Sequence, residues 1–191
     1  IKALDCGVAQ YRPRHFIIGV KKNLFKHINK VSISDLIQQS QNNIFRSLKR
    51  SPESRVTVGD AISDLRKRGK ELEACESWPK FKKIVYDAPI TQYQKSLHIN
   101  RDGTPMNGHP VNSLRLPNHK EKTIAKFKKI QFHCRPGVSI QKNFLESLGT
   151  KKRSQVLLDA CKPSHTLTTL PDDILHYEEP RILTVREYAR L

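Results

Sequence analysis

Three residues near the start of the chain pair hydrogen-bonding chemistry with regular spacing: Gln10, Arg12 and Arg14, within Gln10-Tyr11-Arg12-Pro13-Arg14. Side chains alternate along an extended segment, so residues two apart point the same way. Pro13 disfavours the helical region for Arg12 and supports that extended reading. Two guanidiniums and an amide on one edge suit a phosphate, or a planar partner rich in hydrogen-bond acceptors. An edge strand with solvated arginines uses the same residues equally well. A second set lies at residues 119–132, where Lys120, Lys122, Lys126, Lys128 and Lys129 oppose a single acid, Glu121. Phosphate contact, with Lys126 and Lys129 as candidates, stands there beside a plain solvated face. The four cysteines, Cys6, Cys75, Cys134 and Cys161, form no Cys-x-x-Cys pair, so no metal site is expected and a reducing cytosol suits them.

The totals narrow the partner. With 35 Lys and Arg against 18 Asp and Glu, the net charge is +17, which points to a polyanion. Nucleic acid fits best; an acidic membrane surface or an acidic protein fits less well. No stretch approaches the ~20 apolar residues of a membrane span. No signal peptide is visible, and the chain opens on Ile1 and closes inside an apparent helix, which reads as a piece of a longer protein.

The elements that would position these groups follow from pattern. Residues 16–20, Phe-Ile-Ile-Gly-Val, read as a short buried strand. Ser32 and Asp35 open a helix whose apolar face carries Leu36, Ile37, Ile44, Phe45 and Leu48. Thr57 and Asp60 open a second, with Ala61, Ile62 and Leu65 inward. From residue 71 to 116, four prolines and two glycines break any period, giving a long irregular segment, functional or disordered, in which Trp78, Phe81, Tyr86 and Tyr93 anchor loops to a small core. A helix spans 119–132 with Ile124, Phe127 and Ile130 inward, and another short one 140–148. Strands are expected at 155–158 and 165–170. Thr184 and Glu187 form a capping box for the last helix, burying Leu183, Tyr188 and Leu191.

With both ends read, the chain resembles the DNA cytosine-5 methyltransferase family. Residues 7–19, Gly-Val-Ala-Gln-Tyr-Arg-Pro-Arg-His-Phe-Ile-Ile-Gly, are similar to the family's Gln-x-Arg-x-Arg motif. Residues 181–191, Arg-Ile-Leu-Thr-Val-Arg-Glu-Tyr-Ala-Arg-Leu, are similar to its Arg-x-Leu-Thr-x-Arg-Glu motif. Between them, residues 56–65, Tyr93-Gln94 and Pro163-Ser-His-Thr166-Leu167-Thr168 echo the family in the expected order, the last resembling a Thr-Leu recognition loop.

The resemblance implies an α+β piece of an α/β, S-adenosylmethionine-dependent methyltransferase: one edge of the doubly wound catalytic sheet plus a mixed, irregular target recognition domain. Residues 1–20 would be the catalytic edge strand, 21–175 the recognition domain, and 176–191 the hinge returning to the catalytic domain. The implied reaction moves a methyl group from S-adenosylmethionine to carbon 5 of a flipped-out cytosine in a specific duplex sequence. Arg14 would contact the extruded base or hold its pocket, with Arg12 and Gln10 in support. Thr166, Leu167 and Thr168 would lie on the DNA backbone, and Arg181, Arg186 and Glu187 would organise the hinge. The implied partners are double-stranded DNA, the rest of the same enzyme and a cognate restriction endonuclease, in the bacterial cytoplasm at the nucleoid. Asp5, Ala74, His133 and Ala160 precede the cysteines, so the family's Pro-Cys nucleophile is not here; nor is a Gly-x-Gly cofactor loop or Glu-Asn-Val. The chain alone is therefore expected to be inactive. A subunit of a split enzyme and a non-catalytic DNA-binding module are the other readings.

Overall fold

The computed structural model describes residues 1–19, 21–22, 32–100, 102–106 and 111–191. Helices and short strands are mixed, in keeping with an α+β class: two two-stranded sheets lie among six α-helices and three 3-10 turns of the described residues. Capping sets the helix starts. The Ser32 hydroxyl accepts from Asp35 N at the head of α1 (Ile33–Ser47). Reciprocal capping boxes open α2 (Val58–Ile62) at Thr57/Asp60 and α3 (Gln92–Ser96) at Thr91/Gln94. α4 (Glu121–His133) runs to the Pro136-Gly137 break, and α5 (Lys142–Ser147) ends at Gly149, whose φ of 67° is the left-handed geometry that glycine adopts without penalty. α6 (Val185–Arg190) starts on the Thr184/Glu187 box.

A parallel pair joins two apolar clusters. β3 (Val156–Leu157) lies beside β4 (Ile174–Leu175), pairing Val156 with Ile174 and Leu157 with Leu175. Leu157 and Leu175 pack with Phe127 and Ile130 of α4, Leu145 of α5, and Ile140 just before α5. Ile174 and Leu158 turn the other way, into a cluster with Ala9, Val58, Ile62, Tyr93, Leu183 and Leu191. That cluster binds the first residues, α2 and the last helix into one body. A third cluster, Leu65, Ile84, Leu114 and Leu116, roots an antiparallel ribbon of β1 (Leu72–Cys75) and β2 (Trp78–Ile84).

Several expectations are corrected. Residues 16–19 form no strand, and Phe16, Ile17 and Ile18 are exposed, Ile17 fully so. No neighbouring strand lies alongside them among the described residues, and an apolar run becomes a strand only with a ladder partner. Val20 lies outside the described residues. Residues 165–170 are extended loop without a ladder, held by side-chain bonds instead. The segment read as irregular contains the ribbon and α3. Its Trp78 joins none of the three clusters and is 59% exposed, whereas Tyr93 is buried. In α1 only Phe45 is buried, with Leu48 just past its end, while Leu36 and Ile44 are exposed. Periodicity marks an apolar face but not whether anything covers it.

Candidate nucleic-acid interface

The segment carrying Gln10, Arg12 and Arg14 is extended because backbone partners hold both of its edges. On one side, Ala3 N donates to Arg12 O at 3.0 Å and Arg14 N to Ile1 O at 2.8 Å. On the other, a parallel bridge joins Gln10 to Ser164: Ser164 N donates to Ala9 O at 2.8 Å and Tyr11 N to Ser164 O at 2.7 Å. The Thr166 hydroxyl extends that edge, donating to Tyr11 O at 2.8 Å. Two stretches about 150 residues apart are thereby brought side by side.

Exposure rises along the row. Gln10 is buried, Arg12 half-buried and Arg14 exposed. Gln10 Nε2 donates to Leu191 O at 3.0 Å, and its Oε1 accepts from Arg12 Nη1 at 3.4 Å, as the spacing of two requires. Arg14 bonds the neighbouring Pro13 carbonyl at 2.7 Å. Among the described residues, neither arginine has a carboxylate within ion-pair distance, so both keep their capacity for an anion.

The 166–168 loop alternates likewise. Leu167 packs on the first cluster, while Thr166 and Thr168 face outward. Two side chains not anticipated from sequence secure it. The Thr168 hydroxyl lies 3.1 Å from Asp173 Oδ2, and Tyr188 donates to Thr168 O at 3.0 Å. Lys152 bridges Asp172 and Asp173 at 2.7 and 2.9 Å. The Thr168-to-Asp173 spacing crosses a 3-10 turn that no periodicity marks.

Arg181 and Glu187 face inward and do not join the arginine row. Arg181 meets both Glu187 oxygens, at 2.7 and 2.8 Å, and donates through Nε to Glu179 at 2.7 Å. Burial opposes the charge on Arg181, but Glu187 and Glu179 outweigh it and raise its pKa. Glu187 also accepts from Thr184 N, so a single carboxylate caps the helix and pairs with the guanidinium. Arg186 bonds the main chain and side chain of Asn112.

A second buried pair was missed. Arg190 Nη1 lies 2.6 and 2.7 Å from the two oxygens of Asp64, and Tyr86 donates to the same carboxylate at 2.8 Å. Burial and Asp64 push the Tyr86 phenol up to about 12. Asp64 stood at an inward position beside apolar Ala61 and Leu65, which was its one signal.

The α4 lysines divide. Lys126 is half-buried and donates to Gly149 O at 3.3 Å, whereas Lys122, Lys128 and Lys129 are exposed. No group of three potential metal ligands occurs among the described residues, and no described helix is long and apolar enough to cross a membrane. Compared with known proteins, a family model described as C-5 cytosine-specific DNA methylase matches residues 1–191. No curated protein and no solved structure matches.

Proposed function

The chain belongs to the C-5 cytosine-specific DNA methylase family, and from that membership we propose that it is the DNA-recognition portion of a cytosine-5 methyltransferase acting on a flipped-out base in a specific duplex sequence. The family's substrate is DNA and its methyl donor is S-adenosylmethionine. One observation carries the reading. Parallel pairing sets the Gln10–Arg12–Arg14 row beside Thr166, with two guanidiniums that meet no carboxylate among the described residues.

In this reading Arg14, the most exposed of the row, meets the extruded cytosine or its flanking phosphate. Arg12 supports it, held by Gln10 from beneath. Thr166 and Thr168 lie along the backbone, with Leu167 as their anchor. Lys129, with Lys122 and Lys128, adds phosphate contacts; Lys126 serves mainly to tie α4 to residue 149. The Arg181–Glu187 pair keeps the last helix seated so that residues 176–191 return as the hinge, residues 1–20 lie at the catalytic edge, and residues 21–175 recognise the target.

The described residues do not fit the methyl donor. Five clefts among these residues are lined by no glycine, and by carboxylates only at Asp172 in one and at Glu73 and Glu76 in another, poor provision for a sulfonium and a ribose diol. Burial pushes the Cys134 thiol up, away from the thiolate a nucleophile needs. The cleft linings support a cofactor seat elsewhere, in the same protein or in a partner chain, and the lack of any Pro-Cys pair supports the same for the nucleophile.

The test is Arg14→Ala in the enzyme assembled with its catalytic part. Methyl transfer is expected to fall by at least tenfold while the thermal midpoint stays within a few degrees, since Arg14 is exposed. A wild-type rate would refute its placement at the base.

A further inference from the structure

We infer that the β1–β2 ribbon enters a groove of duplex DNA, with Trp78 at its leading end and Lys80 and Lys82 behind it on the same face. The inference rests on the recognition reading above and names an element that does the reading.

The ribbon sorts its side chains by face. Trp78, Lys80 and Lys82 alternate along β2 and are all exposed. Their cross-strand neighbour Ala74, opposite Lys82, is small and leaves that face open. The opposite face is already occupied. Lys83 pairs with Glu73 at 3.5 Å and with Glu76 at 2.9 Å, and the Arg115 guanidinium lies 4.8 Å from the centre of the half-buried Phe81 ring. So the ribbon's acids are spent on one face, while Lys80 and Lys82 have no carboxylate partner among the described residues. A cationic stripe headed by an exposed indole is left facing outward.

The base of the ribbon is fixed. Ile84 is buried, and residues 114–116 line the ribbon through Ile84 N to Leu114 O at 3.3 Å and Leu116 N to Lys82 O at 2.8 Å. A register irregularity between Ala74 and Cys75 re-aims the tip. Trp78 forms one wall of a cleft of about 660 Å³ whose other wall includes Pro171 and Val185. Pro171 directly follows the loop that carries Thr166 and Thr168.

Duplex DNA suits this shape and chemistry. Its major groove admits a two-stranded ribbon, its phosphates pair with lysines, and an aromatic ring can contact base edges or wedge against a step.

Trp78 is the chain's only tryptophan, so its emission reports on this site alone. Fluorescently labelled duplexes of pooled random sequence are titrated into the chain at low salt, with anisotropy and tryptophan emission read together. Binding that quenches Trp78 and shields it from acrylamide is the expected result. Binding with unchanged emission and shielding would overturn the ribbon proposal and leave the recognition reading standing. Absence of binding would overturn both. Anionic vesicles shifting the emission where duplex does not would assign the stripe to a lipid surface instead. A variant carrying both Lys80→Ala and Lys82→Ala supplies the independent check. If it melts as wild type, the slope of log affinity against log salt should shrink by ~0.9 for each lost phosphate contact. An unchanged slope would overturn the proposal.

Discussion

The Thr166 hydroxyl donates to the carbonyl oxygen of Tyr11 at 2.8 Å, across 155 residues of chain. It is the outermost bond joining the arginine row to the 166–168 loop. Thr166→Val keeps the shape and removes the donor. Because both groups are exposed, water replaces the bond and the stability cost should stay below about 1 kcal/mol. Duplex affinity should nonetheless fall several-fold as the loop loses its register on Arg12 and Arg14. Melting and binding measured on the same preparation separate the two effects; a parallel fall in both would make Thr166 merely structural.

Arg190 and Asp64 form a pair in which neither partner reaches solvent appreciably. Replacing one leaves the other charged and buried, at a cost of roughly 3–5 kcal/mol. Asp64→Leu and Arg190→Met should each destabilise by about that much in denaturant titrations. Joining Asp64→Leu to Arg190→Met should recover part of the loss, because no orphaned charge remains. Additive losses would show that the pair acts through packing.

How far the chain was legible follows from what each signal encodes. Capping boxes are local, so Thr57/Asp60 and Thr184/Glu187 stood where the residues placed them. The box at Thr91/Gln94 was equally local but sat in a stretch whose prolines masked it. The ribbon was missed because three lysines and a proline near Phe81 hide its alternation. The pairing of Gln10 with Ser164 is a long-range register that neither segment encodes alone. The strand expected at 16–20 does not form over residues 16–19 for a related reason: apolar content signals burial only when a partner surface exists. Arg190 reads as ordinary surface charge, and the inward position of Asp64 gains its meaning only when Arg190 is placed beside it.

Gly59 sits where α2 meets residues 160–162. Its N–H donates to Ala160 O at 2.9 Å, and a Cβ there would stand 2.9 Å from that same backbone oxygen. Backbone cannot swing aside as a side-chain end can. Gly59→Ala should therefore cost about 1–3 kcal/mol, despite alanine's better helix propensity. An unchanged or raised denaturation midpoint would mean that α2 shifts freely against this turn.

His176 gives the fold an acid limit. It is fully buried, and its Nδ1 accepts from the N–H groups of Glu178 and Glu179, each at 3.1 Å, so Nε2 carries the proton. That nitrogen has no hydrogen-bond partner and lies 3.6 Å from Glu187 Oε1, a carboxylate already committed to Arg181. Burial, with the charges of Arg181, Arg66 and Lys67, holds its pKa well below the ordinary 6.5. Unfolding releases it to take a proton near 6.5, so its contribution is complete above that pH and shrinks as pH falls below it, by at most ~1.4 kcal/mol per unit. Denaturant midpoints between pH 7.5 and 5 should fall with acidity, and His176→Gln should flatten the slope from a lower starting stability. His119, which burial and Arg181 also lower, adds a smaller slope of the same sign, so His119→Gln alone is the control. A slope unaltered by His176→Gln would mean that the imidazole charges inside the folded chain, with Glu187 as its counter-ion.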